Sequence, residues 1–325
     1  MIETIFFDIE KKKISDNINN VFEINDFIKP IFYDTAEFQL YHKKFAEKVY
    51  QIVFVKENKC LGYCYVGIKE KIIKAPYSAP FAMMYLSEKY RVIDVCELIE
   101  SFKICLSLFH CNKIEITLPP EIYSEELINT EFAAFSSKGF KVKEICINNY
   151  FNLTKFINKE DYLSNLGKMA RRNNKVAVKN NLEFAEISIK DYKLAYEVIK
   201  FNHEEQGYPV KISEEQMEDL INMNALTCRC FGIRKDNMLI AAAIIFDVTD
   251  EISQIIYWGD ILAYRKMSPM TLLATEIINY YKKLKKKYID IGPSSENGII
   301  NTGLADFKKN IGADNDVKIT FQFES

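Results

Sequence analysis

The sequence predicts an α/β protein made of two tandem mixed-sheet domains with a helical insert between them. The chain has 325 residues, and at roughly 100–200 residues per domain this length predicts about two domains. Strand patterns alternate with helical patterns along the chain, which is typical of mixed α/β sheets. The order β-β-α-β-α-β occurs twice, in residues 61–151 and again in residues 239–323.

The two copies align element by element. In the first copy, a strand–turn–strand segment at 61–81 precedes an apolar helix and the strand KIEITLPP. In the second copy, the same order runs through a strand–turn–strand segment at 239–260, a helix that follows a Ser-Pro pair, and the strand YIDIGPSS. Asn129 and Phe135 then align with Asn301 and Phe307 at one common offset. We therefore interpret the chain as an internal duplication.

The insert between the two copies is predicted to be mainly helical. Residues 156–180 read as one helix with Asn158 as its N-cap, and the strand LEFAEIS follows. Ser188 opens a second helix, and Ser213 forms a capping box with Gln216 at the start of a third.

Composition excludes several classes of protein. The chain has 43 Lys and Arg against 45 Asp and Glu, a net charge of −2, which argues against a protein that binds DNA through bulk charge. The longest apolar run, Leu239 to Phe246, is far short of the ~20 residues of a membrane helix. The first residues, MIETIFFDIEKKK, lack the apolar core of a signal peptide. We expect a cytoplasmic protein with no membrane span.

The cysteines are predicted to be reduced and structural. Most of the eight cysteines lie in apolar periodic stretches, where reduced cysteine behaves as a small buried hydrophobic residue. The pair Cys228-x-Cys230 supplies two ligands, whereas a structural zinc ion needs about four. We therefore expect no metal.

A basic helix is the first candidate site. Lys168, Arg172, Lys175 and Lys179 are spaced by four, three and four residues, and Arg171 lies beside them, so these side chains share one face of a helix. Arginine binds phosphate or carboxylate through two parallel hydrogen bonds. Lys168, Arg171 and Arg172 are therefore candidates for binding an anionic substrate. The alternative is a basic face that contacts only solvent.

The start of the helix after the Ser-Pro pair is the second candidate. Ser268 is predicted to be the N-cap and Pro269 the first helical residue. Free N–H groups at a helix N-terminus bind phosphate, and Arg265 and Lys266 add positive charge. We predict that Arg265, Lys266, Ser268 and Met270 bind a cofactor phosphate. An ordinary capped helix is the alternative, since no glycine-rich phosphate loop occurs.

Lys308 is the third candidate. It follows a strand that ends at Asp290-Ile291-Gly292, and ligands of open α/β sheets bind beyond such strand ends. The first copy has Ser136 at the matching position. We therefore expect a degenerate N-terminal domain at 1–150 and a C-terminal domain at 151–325 that carries the site. The alternative is that Lys308 is a surface lysine.

The segment FNHEEQGYP at 201–209 is the fourth candidate. His203 and Glu205 are predicted to supply a catalytic base, because His and Glu are usual proton carriers. The alternative is that both are ordinary solvated residues at a helix end.

Two segments resemble a known family. YLSNLGKMARRNNKVAVKN resembles the basic helix of the Fem-type and related GNAT-superfamily acyltransferases. The C-terminal segment, with its D-x-G strand end and F-K-x-x-x-G helix, resembles the end of their second domain. The resemblance covers about residues 50–325 in order of elements and is specific mainly over 160–325. It implies two tandem GNAT-like domains.

The resemblance also implies a chemistry. In GNAT enzymes an amine attacks the thioester of acyl-CoA, a base takes the amine proton, and backbone N–H groups at a splayed strand hold the thioester oxygen. The splayed strand here would be Gln254–Gly259, which places Tyr257 among the catalytic candidates. In Fem-type relatives the F-K lysine, matched by Lys308, contacts the acceptor or the reacting group, and Arg171 and Arg172 match the basic helix.

Three functions follow from the resemblance. The first is an N-acyltransferase that uses acyl-CoA (acetyl-CoA) to acylate a small amine such as an amino sugar, an amino acid or a cell-envelope precursor. The second is a Fem-type transferase that takes an amino acid from aminoacyl-tRNA. The third is a non-catalytic tandem GNAT binding protein. RKMSPM stands where the GNAT diphosphate signature is expected, which argues against CoA. The lack of a long basic arm and the net charge of −2 argue against tRNA. We favour the first function and disfavour tRNA.

Overall fold

The computed structural model describes residues 2–9, 29–87, 89–207 and 210–324. Packing divides the chain into two compact units. Unit 1 comprises Met1–Cys146 with Asp316–Ser325, and unit 2 comprises Ile147–Asn315. The predicted assignment of residues 1–150 as degenerate and 151–325 as the working domain stays a prediction.

Unit 1 is a mixed sheet with helices. In chain order its elements are β1 (Glu3–Asp8), α1 (Ala36–His42), β2 (Lys48–Lys56), β3 (Lys59–Lys69), β4 (Ile72–Ala75), β5 (Tyr85–Leu86), α2 (Val92–Leu108), β6 (Lys113–Thr117), α3 (Glu125–Ser137) and the first half of β7 (Lys141–Asn152). The strands β1, β2, β3, β4 and β6 are neighbours in that order. Only the β4–β6 pair among these is parallel.

Unit 2 repeats this plan. In chain order its elements are the second half of β7, α4 (Lys159–Asn165), α5 (Lys168–Lys179), β8 (Glu183–Ile187), α6 (Tyr192–Glu205), α7 (Glu214–Ile221), β9 (Thr227–Lys235), β10 (Met238–Asp247), β11 (Ile252–Asp260), α8 (Pro269–Lys283), β12 (Tyr288–Pro293), β13 (Ser295–Glu296), β14 (Ile299–Ile300), α9 (Thr302–Asn310) and the start of β15 (Asp314–Glu324). The strands β8, β9, β10, β11 and β12 are neighbours in that order, and β11–β12 is the parallel pair. The predicted α/β fold class with a duplicated mixed-sheet domain is therefore confirmed.

The duplication is longer than the sequence indicated. Since β3 and β10 correspond, β1, α1 and β2 of unit 1 correspond to β8, α6 and β9 of unit 2. Most of the helical insert is thus the first part of the second repeat. This part of the repeat could not be predicted from the sequence, because β1 and β2 carry no motif that also occurs in β8 and β9.

Each unit is completed by a strand from the other repeat. By order of elements, β7 ends the first repeat and β15 ends the second. In unit 1, however, β6 pairs with β15, and Phe321 of β15 lies opposite Ile116. In unit 2, β12 pairs with β7, where Ile289 lies opposite Phe151. The last strands of the two repeats are therefore exchanged.

The predicted helix over 156–180 is wrong in one respect. Asn158 caps α4 as predicted, since its side chain accepts a hydrogen bond from the Asp161 N–H at 2.9 Å. The backbone then becomes extended at Leu166 and Gly167, which separates α4 from α5. Glycine favours this break because it is a poor helix former, and the break lets Leu166 be buried in the core.

The core of unit 2 holds α8 against the sheet. Leu273, Ile277 and Tyr281 of α8 are fully buried in a cluster that includes Phe231 of β9 and Ile289 of β12. Apolar burial of this kind stabilises a fold by about 25 cal/mol per Å². The position of α8 against the sheet, mainly over β9 and β10, is therefore set by this packing.

Because β15 completes the sheet of unit 1, a substitution in its buried face should destabilise the protein. Phe321 is 2% exposed, and its ring stacks on Phe135 of α3 with centroids 5.5 Å apart. Phe321→Ala is expected to lower the free energy of unfolding by about 3–5 kcal/mol because it leaves a cavity. Urea denaturation followed by circular dichroism measures this. Val142→Ala, at a half-exposed position, is the control; equal effects of the two substitutions would contradict a core role for β15.

Candidate functional site

β11 and β12 separate part-way along their length. They run in parallel register from Ile252↔Tyr288 to Gln254↔Asp290 and share no further register pair within the described residues. Beyond that point β11 continues beside β10, whereas β12 continues beside β7. The two strands therefore part after Gln254, and the region between them beyond this residue is the gap between β11 and β12.

A β-bulge lies at the start of this gap. Ile244 of β10 pairs with Tyr257, but the next residue of β10 pairs with Ile255, so that Ile256 has no partner in this register. Bulges re-aim the backbone and occur next to active sites. The backbone of β11 at Ile256 is therefore turned away from the regular ladder at the point where β12 leaves it.

A fully buried carboxylate lies where the strands part. Asp290 accepts hydrogen bonds from Asn148 Nδ2 at 3.1 Å, Gln254 Nε2 at 2.8 Å and its neighbour Gly292 N at 2.9 Å. Gly292 has φ +71°, a conformation that only glycine adopts without strain. The D-x-G motif is thus a sharp strand end held by its own aspartate.

Lys308 is held at the same strand end. Its side chain is 2% exposed, and Nζ donates to the carbonyl oxygens of Ile291, Gly292 and Pro293 at 2.8, 2.9 and 3.0 Å. These three acceptors use all three donors of an ammonium group. The alternative interpretation of Lys308 as a surface lysine is therefore wrong.

Burial changes the acidity of Lys308. Removal from water lowers the pKa of Lys308 to about 7, and the Asp290 carboxylate acts in the opposite direction. The helix that carries Lys308 borders the gap, because the rings of Phe307 and Trp258 of β11 lie 6.2 Å apart.

His203 and Tyr257 are in contact. Their rings are perpendicular with centroids 5.5 Å apart. The Tyr257 hydroxyl accepts hydrogen bonds from the Lys211 and Ile212 N–H groups, each at 3.1 Å. Burial raises the pKa of Tyr257, and these two backbone bonds oppose that effect. The structure therefore brings these two predicted residues together beside the second half of β11.

Glu205 lies at the end of α6 and is exposed. Its Oε2 accepts a hydrogen bond from the Leu262 N–H at 3.3 Å, so it holds the segment that follows β11. Tyr208 and Pro209 of the predicted segment 201–209 lie outside the described residues.

Asn202 was missed by the sequence analysis. Its Nδ2 donates to the Asp260 carbonyl at 2.6 Å, and a Cβ atom at Gly259 would lie 2.6 Å from its Oδ1. The glycine therefore permits the close approach of α6 to β11. The sequence offered no signal for this contact, because it joins residues far apart in the chain.

The predicted phosphate site has a different geometry. Arg265 forms an ion pair with buried Asp260, with Nη2 2.9 Å from Oδ1, and this hydrogen bond raises the pKa of Arg265. Lys266 is exposed. Ser268 is the N-cap residue and Pro269 begins α8 as predicted, but Ser268 has φ 59° and its side chain makes no capping hydrogen bond. An N-cap normally has extended dihedral angles.

Met270, the fourth residue predicted at the phosphate site, is half-buried and packs against the core of unit 2. Residues Leu262–Met267 form a 3₁₀-helix in place of a glycine-rich loop. Binding of a cofactor phosphate by Arg265, Lys266, Ser268 and Met270 stays a prediction.

The basic face of α5 is exposed. It comprises Lys168, Arg171, Arg172, Lys175 and Lys179. Within the described part of the chain these five side chains form no ion pair, and Arg171 Nη1 lies 3.4 Å from the Ser164 carbonyl oxygen. The opposite side of α5, with buried Ala170 and Ala177, packs against α8 and the 3₁₀-helix that precedes it.

Solved structures with a similar fold are known. FemX aligns with a TM-score of 0.66 and 13% identity, over 90% of this chain and 92% of FemX. A tandem GNAT protein from the clavulanic acid biosynthesis pathway aligns with a TM-score of 0.53 and 8% identity, over 100% and 98%. The chain has a tandem GNAT fold with similarity to FemX.

L-PGS from Bacillus licheniformis also aligns, with a TM-score of 0.52 and 11% identity over 80% of each chain. No protein-family model and no curated protein matches the sequence. At these identities the similarity establishes the GNAT fold, and the chemistry has to be argued from this chain.

The described residues contain no helix of sufficient length and apolarity to cross a membrane. They also contain no group of three or more His, Cys, Asp or Glu side chains placed to hold a metal ion. The cytoplasmic location stays a prediction.

The burial of Lys308 predicts a pH dependence of stability. Its pKa is lowered in the folded state, so the unfolded state binds the proton more tightly, and stability rises with pH between about 7 and the pKa of 10.5 of an unburied lysine. The difference in unfolding free energy between wild type and Lys308→Met should rise over this range by ~1.4 kcal/mol per unit of pKa difference. Urea denaturation at several pH values measures it.

The control is Lys309→Met, which removes an exposed lysine next to Lys308. Its unfolding free energy should differ from that of wild type by the same amount at every pH. The prediction fails if the difference in unfolding free energy between wild type and Lys308→Met does not change with pH. The three carbonyl oxygens would then compensate the cost of burial fully, and the pKa of Lys308 would be that of an unburied lysine.

Proposed function

We propose that unit 2 is an acyltransferase that moves an acyl group from an activated donor to an amine of a small acceptor. The observation that supports this most is the separation of β11 from β12 after Gln254, next to the bulge at Ile256. A gap between two strands accommodates an extended acyl donor. The turned backbone of β11 supplies N–H groups for the carbonyl oxygen of that donor.

The matching position in unit 1 is filled by its own chain, which supports unit 2 as the working unit. After β4, the segment Phe81–Leu86 returns beside β6, where Ala82 N donates to Thr117 O at 2.9 Å. Every side chain in Phe81–Leu86 is at most 2% exposed. In unit 1 the position beside β6 is therefore occupied by the chain itself.

In the proposed acyl transfer each candidate residue of unit 2 has a role. The amine nitrogen attacks the acyl carbon, the bond between that carbon and the donor sulfur or oxygen breaks, and the leaving group keeps the electron pair. His203 or Glu205 takes the amine proton, directly or through water, and Tyr257 orients His203 through ring contact. Lys308 acts as a positioning residue, since it holds the strand end at Gly292.

Acyl-CoA is the first candidate donor, with acetyl-CoA as its simplest form. In this proposal the diphosphate lies at the start of α8, near exposed Lys266 and the backbone of Met270. Arg265 reaches it only by leaving Asp260. The acceptor is a small amine of the amino-sugar or amino-acid type or a cell-envelope precursor.

Aminoacyl-tRNA is the second candidate donor, and the basic face of α5 favours it. The face carries five exposed cations with no described ion-pair partner, on a helix that packs against α8 and the 3₁₀-helix before it. Such a face suits a polyanion, whose binding is dominated by contacts of Lys and Arg with phosphate.

Charge reversals distinguish the two donors. Lys266→Glu should weaken acetyl-CoA binding about tenfold, because a hydrogen bond to a charged group contributes about 1.5 kcal/mol or more. The pair Arg171→Glu with Arg172→Glu should leave acetyl-CoA binding unchanged and weaken binding of aminoacyl-tRNA. Thermal shift and calorimetry measure both effects, and release of free thiol in the presence of amines measures turnover.

Lys190→Glu, at an exposed position on the same unit, is the matched control for both experiments. If neither donor stabilises the protein and no amine is acylated, the acyltransferase proposal fails and the non-catalytic binding protein remains.

A further inference from the structure

Residues Phe81–Leu86 form a strap that covers the interior of unit 1. Every side chain in this strap is at most 2% exposed. On one side Ala82 N donates to the Thr117 carbonyl oxygen at 2.9 Å, and on the other side Tyr85 pairs with Tyr63 of β3. Apolar burial and these backbone contacts therefore favour a closed strap.

A buried carboxyl group is bonded to one end of the strap. Asp34 is 4% exposed, and its Oδ2 accepts a hydrogen bond from the Tyr85 hydroxyl at 2.8 Å. The same hydroxyl accepts a hydrogen bond from the Ile31 N–H at 3.0 Å, so the strap and the 3₁₀-helix Phe32–Asp34 are tied together. Burial raises the pKa of Asp34 to about 7, and the Tyr85 bond opposes this.

A second buried carboxyl group lies beside the middle of the strap. Glu131 of α3 is fully buried, and neither of its carboxyl oxygens has a hydrogen-bond partner of ordinary geometry among the described residues. Burial raises the pKa of Glu131 well above that of an ordinary glutamate, and the backbone of Met84 in the strap opposes this effect. Because an unpaired carboxylate is very costly in such surroundings, the closed strap favours the neutral form of Glu131.

No cation compensates either carboxyl group. Within the described part of the chain, neither Asp34 nor Glu131 forms an ion pair with Lys, Arg or His. Burial lowers the pKa of the nearby His42 to about 4. The titratable groups that face the two acids are phenols and one thiol, and burial raises the pKa of each: Tyr63, Tyr65, Tyr77 and Tyr85 near Asp34, Tyr90 near Glu131, and Cys64 near both. The protons of Asp34 and Glu131 therefore set the charge beneath the strap.

We propose that Phe81–Leu86 is a pH-sensitive strap, which is held closed while Asp34 and Glu131 carry their protons and is released as these two carboxyl groups ionise. An ionised carboxylate is stable in water and costly beneath the closed strap, so opening becomes more favourable as the pH rises. Opening uncovers the position beside β6 that the strap fills. The proposal concerns unit 1 alone and does not depend on acyl transfer in unit 2.

Proton linkage gives the sign and the size of the effect. Asp34 binds its proton more tightly in the closed strap, so the opening constant should rise up to about tenfold per pH unit between 3.8, the pKa of an unburied aspartate, and about 7. Above about 7 the contribution of Asp34 is constant. Glu131 adds a rise of the same size, which begins at 4.5, the pKa of an unburied glutamate, and extends to its own raised pKa.

Hydrogen exchange followed by mass spectrometry measures the opening of the strap. After correction for the intrinsic exchange rate, the protection of the amides in Phe81–Leu86 should fall by up to about a hundredfold per pH unit between about 5 and 7. The amides of the β2–β3 pair, such as that of Val53, should lose less protection. An equal loss at both places would mean that the two acids report unfolding of the whole unit, and would overturn the proposal.

Two variants assign the pH dependence to the two acids. Asp34→Asn, which keeps an oxygen acceptor for the Tyr85 hydroxyl, and Glu131→Gln should each reduce the loss of protection by about tenfold per pH unit below about 7. Glu125→Gln, which removes an exposed carboxyl group from the same helix as Glu131, should exchange as wild type. Either variant decides the matter if the other does not fold. Protection of the strap that does not change with pH in the wild type, or an undiminished pH dependence in Asp34→Asn or Glu131→Gln, would contradict the proposal.

Discussion

The buried carboxylate of Asp290 is the interaction on which the geometry of unit 2 depends. It joins Gln254 of β11, Asn148 of β7 and the turn at Gly292, so it lies where β12 leaves one neighbour and continues with another. Lys308 holds the carbonyl groups that follow. Unsatisfied buried polar groups are costly, and the separation of β11 and β12 persists because each group at this point has a partner.

The two units differ in the segment that follows the first strand of the parallel pair, β4 in unit 1 and β11 in unit 2. Unit 1 returns an apolar segment, Phe81–Leu86, beside β6 and buries it. Unit 2 instead has the 3₁₀-helix Leu262–Met267 after β11 and leaves the strands apart. A duplication followed by filling of one copy accounts for the difference between the two units.

Local patterns in the sequence predicted much of the fold. The Ser213 capping box, the Pro269 start of α8 and the D-x-G strand end all lie where the sequence indicated. Interactions between distant residues were not predicted. The contacts of Asn148 with Asp290 and of Asn202 with Asp260 join residues that lie far apart in the chain and carry no motif. The exchange of β7 and β15 was missed for the same reason, since pairing partners cannot be identified from one strand.

Trp258 provides the most direct test of the central claim, that the gap between β11 and β12 receives the acyl donor. It is the only tryptophan in the chain and lies on β11 beyond the point of separation. Titration with acetyl-CoA and with a stable aminoacyl-tRNA analogue, followed by tryptophan emission, should give a saturable change for the donor that the protein uses. An unchanged emission spectrum, with binding of that donor established by calorimetry, would place the donor elsewhere and contradict the account.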